Sequence, residues 1–315
     1  MRKLQVWAIL ALTMAAAGVA GVPVARAQAP TFDWLTWERL SERRALDPVP
    51  QRFVLKGYVF SLYPATAEHP AIFVAERRGR IAHLSTADRF NVVAYRERDG
   101  GEGPDLLIDA QTADGGAGAR LHAFVLGPKF ALQTIGLGDT YAGVDESGES
   151  SAMRVQFADY AFMGWNADYH RSPAPNLHLV WNGERYAVDP EALRRARPHD
   201  ADDARYAAQA RAALQAWRAE GNVYVPVAVR PAGRVASAPP PPILWRYMLN
   251  MIYSGDAPAA KRLFEAAWPE DMPGKAAFWR DFLTRLRAGQ AWRDLDLETA
   301  LDAGVLFEDL AAAVN

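Results

Sequence analysis

The sequence has no cysteine among its 315 residues. That excludes disulfides, thiolate catalysis and Cys-ligated zinc or iron–sulfur sites. Histidine is scarce at six, no two sit at i, i+4 in a helical stretch, and no His-Glu-x-x-His run occurs. The common helical zinc motif is therefore missing. There is no Gly-x-Ser-x-Gly elbow and no Ser-x-x-Lys, so two familiar serine nucleophile signatures are also missing. Gly274-Lys275 lacks both the upstream glycine loop and the following Ser/Thr of a phosphate cradle. Half the residues are hydrophobic and 23% are charged, which excludes collagen-like and fully disordered classes. At roughly 100–200 residues per domain, the length suits one large or two modest domains.

Only one long apolar run is present, and it comes first. Met1-Arg2-Lys3 is basic, Leu4 to Ala25 is 22 residues without charge, and Ala25 and Ala27 stand at the −3 and −1 places of an Ala-x-Ala site before Gln28. This is the pattern of a secretory signal peptide over residues 1–27. The alternative is an uncleaved anchor, since about 20 apolar residues span a bilayer; Gly18, Gly21 and Pro23 interrupt the run and favour cleavage. The expected location is periplasmic or secreted, with no membrane association after cleavage. Removing Arg2, Lys3 and Arg26 takes the 35 basic residues to 32 against 37 acidic ones, a net charge of −5. Nucleic acid is thereby disfavoured as a partner, because nonspecific binding depends on clustered Lys and Arg.

Residues 28–50 form a leading segment, and from 51 to 197 short β-rich runs alternate with Gly, Pro, Asp and Asn clusters. Phe53–Leu55, Tyr58–Phe60, Ala71–Val74, Val92–Tyr95, Leu106–Ile108, Leu121–Leu126, Leu132–Ile135, Leu177–Trp181 and Arg185–Val188 read as strands of an antiparallel region. Asn182-Gly183 predicts a tight hairpin. Over 198–229 the pattern predicts one helix from Asp200, with Tyr206, Ala210, Leu214 and Trp217 as its stripe, then a strand over Val223–Val229. A proline-rich linker follows at 230–242. Residues 243–315 read as helical: Ile243–Tyr253, Pro258–Trp268 and Lys275–Arg287, then an end that carries six acidic and no basic residues beyond Arg293, expected as solvated surface. The fold class is α+β, an antiparallel β-rich domain followed by a mainly helical C-terminal part.

Four pieces of the middle carry a resemblance: Asp145–Ser150, Phe157–Phe162, Ser172-Pro173-Ala174-Pro175 and Trp181–Tyr186. Together they resemble the FG-GAP or VCBS-like calcium-loop β units of exported bacterial proteins, and residues 99–126 resemble a preceding unit more faintly. The resemblance implies a calcium loop, with Asp145, Ser147 and Glu149 in its first ligand places. Its closing place falls on Met153, which offers no oxygen, whereas Ca²⁺ takes 6–8 of them. The expectation is a degenerate loop serving as a turn, with no cofactor and calcium the one weighed against that. The C-terminal block from Ile252 to Lys275 resembles uncharacterised exported bacterial proteins and implies no activity.

For chemistry, Asp168 and His170 are the closest acid–histidine pair, and on a strand they would share one face as a base and its orienter. Asp105 with Asp109, and Asp145 with Glu149, are the paired carboxylates. His122 and His178 fall in strand patterns and read as core or face histidines. Trp165, Trp181, Tyr160 and Tyr169 are the candidate aromatic platform; Trp245, Trp268, Trp279 and Trp292 read as packing residues. The functional expectation is an exported, non-catalytic protein that binds or scaffolds an envelope partner, with an envelope protein as the expected partner. The alternative is a hydrolase of an envelope or extracellular polymer using Asp168 and His170.

Overall fold

The computed structural model describes residues 50–96, 103–112, 118–138, 140, 142–145, 154–197, 200–226 and 238–308. Residues 1–49, with the expected signal sequence, lie outside these, as do Ser147, Glu149, Met153 and most of the proline-rich linker. Twelve described strands form three four-stranded antiparallel sheets, each a meander in chain order. The first holds β1 (Gln51–Leu55), β2 (Tyr58–Tyr63), β3 (Ala71–Arg77) and β4 (Arg80–Ala87). The second holds β5 (Arg89–Tyr95), β6 (Leu106–Gln111), β7 (Ala119–Leu126) and β8 (Phe130–Gly138). The third holds β9 (Gly143–Asp145), β10 (Arg154–Ala158), β11 (Asn176–Trp181) and β12 (Tyr186–Val188). The α+β class is as the sequence implied.

The second sheet is the middle layer, and strand alternation explains how. Leu106, Ile108 and Ala110 of β6, with Phe124 and Leu126 of β7, pack on Phe60, Phe73 and Ala75 of the first sheet. Their neighbours Leu107, Leu121 and Ala123 face the opposite way, into a core shared with the third sheet and the helices. A strand buried on both faces loses the polar alternation, and Leu106-Leu107-Ile108 shows it. Lys56 ties the first two sheets together: its ammonium lies 2.6 Å from the Asp105 carboxylate, whose other oxygen accepts from Leu126 N–H at 2.5 Å.

Seven helices follow among the described residues: α1 (Pro190–Ala196), α2 (Asp200–Ala219), α3 (Ile243–Tyr253), α4 (Ala257–Ala267), α5 (Lys275–Ala288), α6 (Gln290–Asp294) and α7 (Leu297–Ala300). Asp189 caps α1, its carboxylate accepting from Glu191 and Ala192 N–H, and Asp256 caps α4 through Ala259 N–H. The α2 stripe buries Ala210, Leu214 and Trp217. Trp245, Trp268, Trp279 and Trp292 are all buried packing residues.

Three local expectations are corrected. Residues 223–226 form no strand. The Asn182-Gly183 hairpin is a four-residue loop with Trp181 opposite Tyr186, because the Asn182 carboxamide accepts from Glu184 and Arg185 N–H and caps a wider turn. The acidic end is not simply solvated: Leu295, Leu297, Leu301, Leu306 and Phe307 are buried in the main core, and Glu298 pairs with Arg287 at 2.8 Å.

Candidate functional site

The sheets and helices meet around the segment 159–175. Asp159 N–H donates to Pro175 O at 2.8 Å, closing the segment at its base in the manner of a compact surface loop. Two aromatic residues anchor it inward. Phe162 lies 5.0 Å from Phe282, and Trp165 lies 5.3 Å from Trp245, edge to face, centroid to centroid. The buried Asp159 carboxylate accepts from Ala161 N–H at 2.9 Å and from the Tyr253 hydroxyl at 2.5 Å, tying the loop to α3. Burial pushes both groups up. Ser172 Oγ accepts from Gly164 N–H and donates to Asp168 O, fixing the outer half.

Pinned in this way, the loop turns Tyr160 and Tyr169 outward, their rings 6.2 Å apart and tilted by 40°. They line a cleft of about 490 Å³ with His170, the Pro173 and Pro175 wall, and Arg246 and Asn250 of α3. Helix α3 buries Leu244, Trp245, Met248, Leu249, Met251, Ile252 and Tyr253. Arg246 and Asn250, one turn apart, lie on its exposed side. Among the described residues, the Arg246 guanidinium and the Asn250 carboxamide have no hydrogen-bond or ionic partner. Among the described residues, none that lines the cleft is acidic.

The expected site residues are distributed unevenly about this cleft. Asp168 and His170 lie not on a strand but in a single 3₁₀ turn, Tyr169–Arg171, with Asp168 at its N-cap. Three residues per turn point i and i+2 in different directions, and no hydrogen bond joins the two side chains. His170 lines the cleft, its ring 5.5 Å from Tyr169, while Asp168 is exposed beside it. Of the aromatic platform, Tyr160 and Tyr169 are at the cleft; Trp165 belongs to the core, and Trp181 packs edge-on against Tyr186. Asp105 is engaged by Lys56, and four residues along an extended chain separate it from Asp109 by roughly 13 Å, too far for paired carboxylate chemistry. Asp145 ends β9, with Ser147 and Glu149 outside the described residues. No group of three or more metal-ligating side chains occurs among the described residues.

Arg246 and Asn250 carried no expectation of their own from the sequence. The available signal was two polar residues four apart in a helix otherwise rich in large apolar side chains. A second cleft, about 410 Å³, lies between β10, β11 and α1; its Arg154 pairs with Asp189 at 3.3 Å, and exposed His178 lines it. No described helix is long and apolar enough to cross a membrane. No protein-family model matches the chain, nor does any curated protein or solved structure.

Proposed function

We propose that this is an exported, non-catalytic binding protein that engages an envelope partner through the cleft between loop 159–175 and α3. The observation that supports this reading is the cleft itself: an aromatic pair held outward by a loop pinned at both ends, facing an unpaired guanidinium. A few convergent polar groups on a preformed concavity are the usual composition of a ligand site. Export is supported by the basic start, apolar run and Ala-x-Ala site of residues 1–27. A protein of the envelope is the partner class proposed, with neither calcium nor another cofactor required.

The competing reading is a hydrolase of an envelope polymer. In its favour, His170 stands at the cleft; against it, Asp168 does not orient that ring. Both readings are tested by placing a photo-crosslinking residue at Tyr169 in the tagged chain in its own envelope, with Val54, 69% exposed on the first sheet, as the control position. A partner captured from position 169 and not from 54 supports binding at the cleft. Equal capture from both positions removes the cleft from the reading. Polymer cleavage by the purified protein that is lost in His170→Ala establishes the hydrolase instead.

A further inference from the structure

We infer that the Tyr160–Arg246 cleft takes a carboxylate-bearing saccharide unit carried on the envelope partner, an inference that rests on the binding reading above and names the group of that partner which enters the cleft. The walls decide the shape of the ligand and the polar groups decide its charge. Tyr169, 51% exposed, and Tyr160 line the opening, with Pro173 and Pro175 beside them. Aromatic rings at an opening suit the C–H face of a sugar ring, whose hydroxyls are left for polar partners. The 40° tilt between the tyrosines forms an open V, and a parallel slot for a flat heteroaromatic ring is missing.

At the rim, the Asn250 carboxamide offers both donors and an acceptor, and the His170 imidazole adds one nitrogen of each kind when neutral. Both can hydrogen-bond hydroxyls. Among the described residues, Arg246 is the one Lys or Arg of the lining, and a guanidinium is shaped for bidentate contact with a carboxylate. The loop's two acidic residues, Asp159 and Asp168, stand outside the lining, and Asp159 is buried against Tyr253. One guanidinium and several neutral hydrogen-bonding groups describe one carboxylate per unit set among hydroxyls. A densely charged phosphate chain would call for clustered Lys and Arg, which the cleft lacks.

The test uses the purified mature chain and three probes in calorimetric titration at neutral pH: tri-galacturonic acid, its methyl ester, and a triglutamate peptide. The expected result is binding of the acid about 10- to 100-fold tighter than the ester, the range for a charge-assisted contact. Arg246→Leu is expected to bring the acid down to the level of the ester. Tyr169→Ala is expected to weaken acid and ester alike. Added salt is expected to weaken the acid and leave the ester unmoved. Both substitutions are at the surface, and unchanged melting temperatures show that the fold is intact.

Equal binding of acid and ester overturns the carboxylate. Triglutamate binding as well as tri-galacturonic acid overturns the saccharide in favour of an acidic peptide. If no probe binds while a crosslinker at position 169 still captures an envelope protein, this inference fails and the binding reading stands. If no probe binds and nothing is captured, both fail.

Discussion

His83 on β4 and His122 on β7 face each other across the first two sheets, ring centroids 5.5 Å apart, among Phe73 and Phe124. Both are buried; His122 Nδ1 meets Thr134 Oγ1 at 3.0 Å, and His83 Nε2 has no partner. Burial pulls His83 from 6.5 down to about 4; burial, then the neighbouring His83 and Arg120 charges, pulls His122 to about 3. Below pH 6.5 the unfolded chain takes up these two protons and the folded chain does not, so stability falls as pH falls, down to about 4 for one and about 3 for the other. From pH 7 to pH 5 the loss is about 2 kcal/mol for each histidine. The buried Asp109 and Asp159 carboxyls, pushed up by burial, act in the opposite sense in the acid range, because the folded chain protonates them first. His83→Leu removes a buried polar atom that bonds to nothing. We predict unchanged or higher stability at pH 7 and about half the wild-type loss at pH 5, read by urea unfolding at both values. A variant as acid-labile as the wild type would remove His83 from this account.

At the scale of elements, one glycine sets how closely helix and sheet approach. A Cβ on Gly136 of β8 would lie 2.0 Å from Gln290 Cγ and 2.8 Å from Gln290 Cβ in α6. The same residue's N–H donates to the Asp294 carboxylate at 2.7 Å. Gly136→Ala therefore lifts α6 off β8 and breaks that bond, at a predicted cost of about 1–3 kcal/mol. Adding Gln290→Ala removes the Cγ clash and should recover part of the loss in a double-mutant cycle; a Gly136→Ala protein with the wild-type melting temperature would show that the helix is free to yield.

The same scale shows what could be read from residues alone. Helices α3, α4 and α5 were legible to within a residue or so, since apolar spacing, Asp256 and Gly274 mark their ends. Strand β4 was not, because Ile81 to Ala87 mixes His, Ser and Thr into its faces, and β9 is three residues long. The tight hairpins sit at Lys56-Gly57 and Arg78-Gly79, with φ of 49° and 76°, and 51° and 73°. The conventional turn pair Asn182-Gly183 opens a wider loop because its own side chain supplies the hydrogen bonds. In the site, Tyr160, Tyr169 and His170 were legible as residue types with chemistry to offer. Arg246 was not, because nothing local says that a helix some 80 residues downstream will face them; that is decided by Phe162 and Trp165 entering the helical core.

At the scale of the whole molecule, the sheet and helical parts share one core. Leu107, Leu121 and Ile135 of the middle sheet belong to the same buried cluster as Trp245, Phe264, Phe278 and Leu286. Tyr253 crosses to Asp159, and Asp294 to Gly136, adding polar ties over the same boundary. The proline run at 239–242 is therefore a bend in one folded unit, and cutting there exposes the apolar side of the loop that builds the cleft. We predict that the chain from residue 28 onward unfolds in a single transition, with tryptophan fluorescence and far-UV circular dichroism coincident. A chain ending before Pro239 should lose that cooperativity and bind a hydrophobic dye, because Phe162 and Trp165 lose the partners that bury them. If that shorter chain instead melts cooperatively near the wild-type temperature, the sheets are self-sufficient and the helices only dock on them. In the first case, deleting either part destroys the cleft along with the fold, and the proposed binding can be tested only by point substitutions such as Arg246→Leu and Tyr169→Ala.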